Sequence, residues 1–253
     1  NKIFCTKDYM LLFNGEIYNK KYLKQKYLSN IKLETSSDTE VLFNLLIHIG
    51  NKIILEIQGI FSIVFINLKK GNIELIRDFT GTKPLYYSLS ENRVLFSSEA
   101  WFLYSLSKKK INKNSFDFYL NFGFTPNENT LIENVKKVKP RNKLAIDLNN
   151  FKINEEIYFD INKDKTSINP NIKEINKNLE DSVELNLLSD TKVGTFLSGG
   201  LDSSLITSIA NKSNNQIESF TTVYTPENKF KKFNIDFPYS KKLAEKLNIK
   251  LNV

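Results

Sequence analysis

The sequence of 253 residues predicts an α+β part built on an antiparallel sheet, followed by the start of an α/β part built on a parallel sheet. Between residues 59 and 99, short apolar runs alternate with short polar turns, which is typical of antiparallel strands. Beyond residue 171, apolar runs of helical and of strand length alternate, which is typical of a parallel sheet. The polar stretch at residues 162–171, which contains one proline, predicts the linker between the two parts.

The first part opens with an apolar strand, Tyr9–Phe13, that meets a predicted tight turn at Asn14–Gly15. The next helix is expected to begin at a cap among residues 36–38 and to end at Gly50. Its one histidine, His48, is expected on the surface. An antiparallel meander is predicted after it, with strands at residues 60–66, 73–76, 85–89 and 94–97 and a further strand at 143–148.

The second part is predicted to contain three helices, Ile172–Leu187, Leu201–Ile209 and Tyr239–Leu247. The strands between them are predicted at Val193–Leu197, which has the pattern of a buried run, and at Phe220–Tyr224. The residues after the last helix open another strand and do not close a domain, so the chain is expected to be a fragment.

Composition excludes several classes of protein. Hydrophobic residues make up 41% of the chain and charged residues 25%, with 19 Phe and 11 Tyr, so a substantial core is expected and disorder is not. No apolar run reaches the roughly 18 residues that predict a membrane-spanning helix. One Cys and one His exclude a disulfide framework and leave little scope for a zinc site, which favours the cytoplasm.

The net charge of +8 raises the alternative of a basic nucleic-acid-binding protein without catalysis. Only three of the 36 basic residues are arginines, the side chains best suited to bidentate contacts with bases and phosphates, and the lysines are scattered. A solvated surface is therefore favoured, and no nucleic-acid partner is expected.

A glycine-rich loop follows the predicted strand Val193–Leu197 and opens the next helix. Adjacent Gly199 and Gly200 let the backbone turn sharply, so that its N–H groups can cradle an anion at the positive end of the helix. Asp202 would repel phosphate on its own, so it indicates a bridging Mg²⁺. Residues 198–204 are therefore a candidate phosphate-binding loop.

The heptapeptide Ser198–Ser204 is identical to the pyrophosphate-binding loop of the ATP pyrophosphatase family, and the preceding run Leu188–Leu197 resembles its asparagine synthetase branch. The resemblance implies a Rossmann-like ATP-binding domain that begins at residue 166. It implies that ATP or pyrophosphate is bound by Leu197, Ser198, Gly199, Gly200, Leu201, Asp202, Ser203, Ser204 and Thr222. It also implies a reaction in which ATP activates a carboxylate as an acyl-adenylate, pyrophosphate leaves, and ammonia displaces AMP.

The segment Asn14–Asn19 resembles the glutamine-site signature of class II amidotransferases, which are N-terminal-nucleophile enzymes. The resemblance implies that the Asn14 side chain and the Gly15 N–H form an oxyanion hole, and that Glu16 and Asp38 bind the α-amino group of glutamine. The residues alone predict only a turn and a helix cap. With the family, residues 1–165 are expected to form an antiparallel sandwich whose N-terminal part is missing.

Three features concern the scaffold and the departures from the family. The segment Arg77–Tyr87 resembles a family turn fixed by Gly81 and Pro84, where an Arg77 ion pair is expected. Arg141 stands where the family usually has glycine. The class needs an N-terminal cysteine with a free amine. Cys5 is not terminal and is expected to be buried in a strand, so the chain as given is not expected to hydrolyse glutamine.

The leading hypothesis is a piece of a glutamine-dependent, asparagine-synthetase-like enzyme with glutamine, ATP and aspartate as substrates. A second hypothesis keeps the adenylation but changes the acceptor, as in β-lactam synthetases and peptide-cyclising relatives. The intact glutamine-site residues argue mildly against this alternative. A homodimer is a further expectation, and a membrane partner is not expected.

Overall fold

The computed structural model describes residues 3–90, 92–106, 110–160, 171–189, 191–213, 217–225, 229 and 232–253. The chain forms two compact units, Asn1–Thr166 and Ser167–Val253. The predicted linker at residues 162–171 lies outside the described residues except for Asn171. The Asn171 side chain accepts a hydrogen bond from the Lys173 N–H and caps the first helix of the second unit.

The first unit contains a six-stranded antiparallel sheet with the strand order β1-β2-β3-β4-β8-β9. Three helical segments precede β3. The strands are β1 (Phe4–Cys5), β2 (Tyr9–Ile17), β3 (Gly59–Asn67), β4 (Asn72–Arg77), β8 (Asn142–Asp147) and β9 (Ile153–Ile157). The helical segments are α1 (Lys20–Tyr27), α2 (Asp38–His48) and a 3₁₀ helix (Asn51–Glu56).

A second antiparallel sheet has the order β6-β5-β7. It is formed by β5 (Tyr86–Ser90), β6 (Arg93–Ser97) and β7 (Lys136–Lys137). Two helices, α3 (Ala100–Leu106) and α4 (Lys113–Phe122), lie between β6 and β7 in the chain. The prediction of one continuous meander was therefore wrong at one point: the chain leaves the first sheet after β4, which pairs with β8, and enters the second sheet at β5.

Alternation along β3 explains how the first sheet is buried on both faces. Ile63 and Phe65 join the core cluster shared with α1 and α2, while Val64 joins a second cluster with Leu85 and Tyr87 beside the second sheet. The first unit is thus a helical layer, a six-stranded sheet and a three-stranded sheet. The sandwich that the sequence predicts is present.

Helix α2 begins as the sequence predicts. The Ser37 hydroxyl accepts a hydrogen bond from the Glu40 N–H at 3.3 Å, which makes Ser37 the N-cap. Glu40 is buried, and its carboxylate accepts the N–H groups of Glu34 and Thr35 at 2.7 and 2.5 Å. The preceding loop is therefore tied to the first turn of the helix, and His48 near the other end is exposed as expected.

The second unit contains a three-stranded parallel sheet with the order β10-β11-β12, which confirms the α/β prediction. Helices alternate with the strands. In chain order the elements are α5 (Ile172–Asn186), β10 (Gly194–Phe196), α6 (Leu201–Ser213), β11 (Glu218–Phe220), α7 (Phe237–Leu247) and β12 (Leu251–Asn252).

Two details of the second unit differ from prediction. The run Val193–Leu197 was expected to be buried, but Leu197 alone is fully buried and Phe196 is 86% exposed. The reason is that Phe196 shares a face of the sheet with its partner Phe220, which is 43% exposed, so the described residues leave this face uncovered. The second strand was expected at Phe220–Tyr224, whereas β11 ends at Phe220.

Membrane-spanning helices and clusters of metal-ligating side chains are both absent from the described ranges. None of the helices there has the length and apolarity needed to cross a membrane. In the same ranges, no three or more His, Cys, Asp and Glu side chains lie close enough together to hold a metal ion.

Candidate functional site

The predicted turn at Asn14–Gly15 was wrong, because β2 runs straight through it to Ile17. Gly15 lies opposite Phe61, and Ile17 lies opposite Gly59. A Cβ at Gly15 would stand 2.1 Å from the Ile60 carbonyl oxygen, and a Cβ at Gly59 would stand 2.2 Å from the Glu16 carbonyl oxygen. Glycine is required here for the close approach of two strands, not for a turn.

The N–H of Gly15 points away from β3. Phe61, its partner residue, uses its own N–H and carbonyl on the opposite side, where they bond to the Asp78 carboxylate and the Asp78 N–H. Gly15 and Phe61 are therefore a pair without mutual hydrogen bonds, and the Gly15 N–H is directed to the other edge of β2. Two residues on, the Ile17 N–H points to that same edge and donates to Asp38 Oδ2 at 2.8 Å.

The side chain of Asn14 lies on the opposite face of β2 from the helices, and it lines a pocket of about 260 Å³. Polar neighbours in this pocket are Ser62 on β3 and Ser97 and Ser98 at the end of β6. The Asn14 side chain thus faces a partly polar cavity, and the N–H of its neighbour Gly15 is directed to the edge of the same strand opposite β3.

Glu16 and Asp38, which are 22 residues apart, are brought together at the end of β2. Asp38 is the first residue of α2, and its side chain is 12% exposed. Its Oδ1 accepts a hydrogen bond from Lys20 Nζ at 2.6 Å, while Oδ2 is held by the Ile17 N–H. The structure therefore fixes the Asp38 carboxylate beside Glu16 from two directions.

The surroundings of Glu16 shift its acidity. Burial raises the pKa of the Glu16 carboxyl above its ordinary value of 4.5, and the neighbouring Asp38 charge raises it further. Lys20 and Lys83 act in the opposite direction on that pKa, with smaller effects. Two carboxylates and two ammonium groups thus share one small region, and their charges balance there.

Lys83 is held there by a turn built around Asp78. The Asp78 side chain is fully buried and accepts N–H bonds from Thr80, Thr82 and Lys83 within 3.1 Å. It also accepts the Phe61 N–H, so that the turn is anchored to β3. The prediction of a scaffold role for this segment agrees with the geometry.

Among the described residues, Arg77 has no partner for the ion pair that the sequence predicted. Its guanidinium donates to the carbonyl oxygens of Gly81, Lys83 and Val138, at 2.6, 3.0 and 2.7 Å. Arg77 therefore acts as a brace for the turn by satisfying backbone acceptors. Gly81 has a φ of +71°, and a Cβ there would meet Pro140 at 2.8 Å.

The last residue of the signature, Asn19, has a positioning role. Its side chain donates to the Glu56 carbonyl at 2.8 Å and accepts the Gln58 N–H at 3.0 Å. These bonds tie the end of β2 to the chain entering β3. They hold the two strands together next to the close contact of Gly15 and Gly59.

Cys5 was predicted to be buried, but its side chain is exposed. Strand β1 is only two residues long and lies at the edge of its sheet. Phe4 faces the core and packs against Phe43 with ring centroids 6.1 Å apart, so Cys5 points to the other side.

In the second unit, residues 198–204 join the end of β10 to α6. Ser198 Oγ lies 2.9 Å from Ser203 Oγ and accepts the Gly200 N–H at 3.3 Å. Ser203 Oγ and the Ser204 N–H both contact the Gly200 carbonyl at 3.1 Å. Leu201 and Asp202 begin the helix and are exposed, while Leu197 is buried beneath the loop.

Buried hydroxyl groups hold this loop in place from below. Thr195 Oγ1 lies 2.8 Å from Ser219 Oγ on β11 and 3.1 Å from Thr207 Oγ1 on α6. Thr207 and Ser219 are fully buried. These three hydroxyl groups link β10, β11 and α6 to one another. They therefore fix the direction in which the loop leaves the sheet.

Thr222 is exposed and follows β11, just as Ser198 follows β10. Because β10 and β11 are parallel, their carboxyl ends lie at the same edge of the sheet. The structure thus brings the predicted Thr222 and the loop to one edge.

The backbone conformation and the surroundings of Gly199 leave no room for a side chain. It has a φ of +91°, and a Cβ there would stand 2.2 Å from the Asp236 carbonyl oxygen, just before α7. Gly199→Ala should therefore lower the free energy of unfolding of the second unit by about 1–3 kcal/mol from backbone strain alone. Urea unfolding measures this effect.

The matched control is Gly200→Ala, since the nearest atom to a Cβ at Gly200 is Ser198 Oγ at 3.5 Å, an ordinary contact. It should change stability by clearly less than Gly199→Ala. Equal effects of the two substitutions would contradict the close packing of Gly199 against Asp236.

Sequence reasoning missed two groups near Glu16. Lys20 lies only four residues beyond Glu16, so the sequence itself indicated that the two side chains could be close. Lys83 is distant in the chain and reaches Glu16 only through the Asp78 turn, so no local pattern indicated it.

The two units of the chain match two different protein families. Residues 4–159 match the family described as a glutamine amidotransferase domain, and residues 174–253 match the family described as asparagine synthase. Because the first match spans more than half of the chain, the chain belongs to the glutamine amidotransferase domain family, with an asparagine synthase segment after it. The predicted fold class, an N-terminal-nucleophile-type sandwich followed by a parallel α/β segment, is confirmed.

Similar curated proteins carry both segments. A putative glutamine-hydrolysing asparagine synthetase 2 of Methanocaldococcus jannaschii is 35% identical over 208 residues, covering 80% of this chain and 40% of that protein. Asparagine synthetase 1 of Bacillus subtilis is 34% identical over 217 residues, covering 84% of this chain and 34% of that protein. The chain thus spans less than half of the length of these relatives.

Among solved structures, a glutamine phosphoribosylpyrophosphate amidotransferase from Bacillus subtilis, complexed with ADP and GMP, gives a TM-score of 0.43 at 16% identity. The match covers 86% of this chain and 47% of that one.

Proposed function

We propose that this chain is part of a glutamine-dependent asparagine synthetase. In that reaction glutamine yields ammonia, ATP adenylates the β-carboxylate of aspartate, and ammonia displaces AMP to give asparagine. The observation that carries the proposal is the presence, in one chain, of the Glu16–Asp38 carboxylate pair and the Ser198–Ser204 loop on a parallel sheet. We assign residues 1–165 to the amidotransferase domain and 166–253 to the ATP-binding domain.

In the first domain, we assign the α-ammonium of glutamine to Glu16 and Asp38. The Asn14 amide and the Gly15 N–H stabilise the oxyanion that forms when a thiolate attacks the carboxamide. Support comes from the direction of the Gly15 N–H and from the pocket beside Asn14. Both donors lie on a sheet, so that little rearrangement is needed during the reaction.

The nucleophile is a separate matter, because the one cysteine in these 253 residues is Cys5. Its nitrogen belongs to a peptide bond, so it has no free α-amine to act as base. We propose that residues 1–253 alone do not hydrolyse glutamine. The intact enzyme requires a thiol that is also an N-terminus.

In the second domain, the loop N–H groups and the first turn of α6 bind the pyrophosphate portion of ATP. We assign Leu197, Thr222 and the loop residues to this site. Asp202 would be the residue that holds a Mg²⁺ ion, since its exposed carboxylate stands at the helix N-terminus. Bound Mg²⁺ would neutralise phosphate charge; the chain itself positions and orients the nucleotide.

The carboxylic acid that accepts the ammonia is proposed to be aspartate. Aspartate is favoured over the acceptor of a β-lactam synthetase or peptide cyclase, because the Glu16–Asp38 pair is geometrically intact. A cytoplasmic location and a homodimer are further parts of this proposal.

The raised pKa of Glu16 gives a testable pH dependence. Protonated Glu16 cannot attract an ammonium ion, so the KM for glutamine should rise as pH falls, starting at a pH above the ordinary carboxyl value of 4.5. Glu16→Gln should raise KM by about 10–100-fold at neutral pH, the range for loss of a charged hydrogen bond, and remove this pH dependence.

The control is Glu34→Gln, an exposed glutamate in the same unit, which should keep the wild-type KM and pH profile. A Glu16→Gln enzyme with an unchanged pH profile would show that another group titrates and that Glu16 does not hold the ammonium.

The experiment that tests the proposed function is ATP–pyrophosphate exchange by the intact protein with a panel of carboxylic acids. Exchange that requires aspartate, and that proceeds without glutamine, supports adenylation of aspartate. Exchange that requires a different acid would replace the acceptor, while absence of exchange with every acid would overturn the assignment of the loop to ATP.

A further inference from the structure

We infer that the Lys20 ammonium occupies the place at Asp38 that the substrate ammonium takes, so that Lys20 competes with glutamine and sets its affinity. The inference rests on the proposed role of Asp38 in holding the α-amine of glutamine. Lys20 Nζ donates to Asp38 Oδ1 at 2.6 Å, while the Ile17 N–H holds Oδ2 at 2.8 Å. Both oxygens are therefore engaged before a ligand arrives.

Lysine and the α-amine of an amino acid are chemically alike at this position. Each is an alkylammonium ion with three N–H donors and one positive charge. The Asp38 side chain is only 12% exposed, so the room for a second cation at the same carboxylate is small. Two ammonium ions there would also repel each other. Binding of the substrate ammonium is thus expected to require displacement of Lys20.

The position of Lys20 makes such a displacement easy. It is the first residue of α1, whose first turn contains no acidic residue, so its charge stands at the unfavourable, positive end of the helix dipole. Its side chain is 35% exposed and can reach solvent without repacking the core. A partly exposed ion pair of this kind is weak, which makes the Lys20–Asp38 contact exchangeable rather than structural.

The neighbouring charges are consistent with exchange. Glu16 faces Asp38, and Lys83 approaches Glu16 from the Asp78 turn, in addition to Lys20. When the ammonium of glutamine takes the place of Lys20, the charge at the carboxylate pair is conserved. The departure of Lys20 therefore leaves neither carboxylate without a cation.

The test is steady-state glutaminase kinetics on the intact enzyme carrying Lys20→Met, which keeps the apolar stem and removes the charge. The KM for glutamine should fall about two- to five-fold with kcat unchanged, the range expected for a partly exposed ion pair. The inhibition constant of 4-aminobutanamide, which is glutamine without its α-carboxylate, should fall by the same factor. Lys20→Gln should behave alike.

Lys21→Met is the matched control, since Lys21 is the adjacent exposed lysine, and it should change neither constant. A KM for glutamine that rises in Lys20→Met, with unchanged inhibition by 4-aminobutanamide, would overturn the inference by showing that Lys20 binds the substrate carboxylate. Unchanged values for both compounds would overturn it as well, because no competition would then exist.

Asp38→Asn separates this inference from the proposed function. A large rise in the KM of Asp38→Asn, together with an unchanged KM in Lys20→Met, would refute the competition while leaving the role of Asp38 intact. An unchanged KM in Asp38→Asn would refute the role of Asp38 and the competition together.

Discussion

Asn14→Ala in the intact enzyme is expected to lower the kcat of glutamine hydrolysis by about 10²–10³-fold, the effect of removing one oxyanion donor. The side chain lines a pocket with Ser62, Ser97 and Ser98, and its backbone neighbour Gly15 directs an N–H to the edge of β2 opposite β3. Alanine removes the amide donor but leaves the strand pairing of Asn14 with Ser62 unchanged. Glutaminase assays with glutamine alone measure this effect.

Asn14→Asp provides the matched variant, because it keeps the size of the side chain and replaces the N–H donor by a second acceptor. It should be impaired at least as strongly as Asn14→Ala. Synthesis of the amide from added ammonia should survive in both variants. Loss of ammonia-dependent synthesis would mean that Asn14 has a structural role instead.

Asp202→Asn is expected to lower Mg-ATP-dependent pyrophosphate exchange by more than about 10²-fold, as for the loss of a metal contact worth several kcal/mol. Asp202 is exposed in the first turn of α6, where backbone N–H groups attract phosphate and a bare carboxylate repels it. Asparagine is nearly the same size but binds Mg²⁺ less well because it carries no charge. Glutamine hydrolysis should be unaffected.

A suitable control is Asp181→Asn on α5, an exposed aspartate in the same unit, which should retain full exchange. Titration with Mg²⁺ adds a second readout, because a lost ligand should raise the Mg²⁺ concentration needed for half-maximal exchange. Retained exchange at ordinary Mg²⁺ in Asp202→Asn would remove the metal-bridging role.

The strands of the first unit could be predicted because their apolar residues are consecutive and lie between clear turns. The observed β3 and β4, Gly59–Asn67 and Asn72–Arg77, extend the predicted runs by one residue at each end. What the sequence could not indicate is the passage from one sheet to the other after β4. That passage depends on the buried Asp78 carboxylate, which gathers N–H groups from the turn and from Phe61.

The Asn14–Gly15 turn was mispredicted because Asn-Gly is the strongest local signal for a hairpin. Here a tertiary contact decides the conformation: Gly15 meets the β3 backbone beside Gly59. This contact becomes apparent only when the distant residues Gly15 and Gly59 are paired across the two strands. No local sequence pattern indicates it.

Arg141 illustrates a departure from the family that the structure explains. Its φ is +61°, a left-handed conformation that favours glycine, the residue usually found at this point in the family. The conformation is held by two backbone bonds, from the Arg141 N–H to the Asp78 carbonyl and from the Tyr158 N–H to the Arg141 carbonyl. The guanidinium lies 5.7 Å from the Phe79 ring, which adds an attraction that glycine cannot supply.

The proximity of Glu16 and Asp38 followed from the resemblance to the family, whereas the lysine charges around them did not. The residue types at Asn14, Glu16 and Asp38 were indicated by the resemblance to the family, and the structure places Glu16 and Asp38 together. Lys20 and Lys83 complete the charge balance through contacts made only in the folded chain.

The most direct test of the central claim is the fate of the amide nitrogen. The intact protein would be supplied with glutamine labelled with ¹⁵N in its side-chain amide, Mg-ATP and aspartate, and the products would be followed by NMR. We expect the label to appear in the side-chain amide of asparagine, with one pyrophosphate released per asparagine. Label that remains in free ammonia while no asparagine forms, or that enters the amide of another acid, would contradict it.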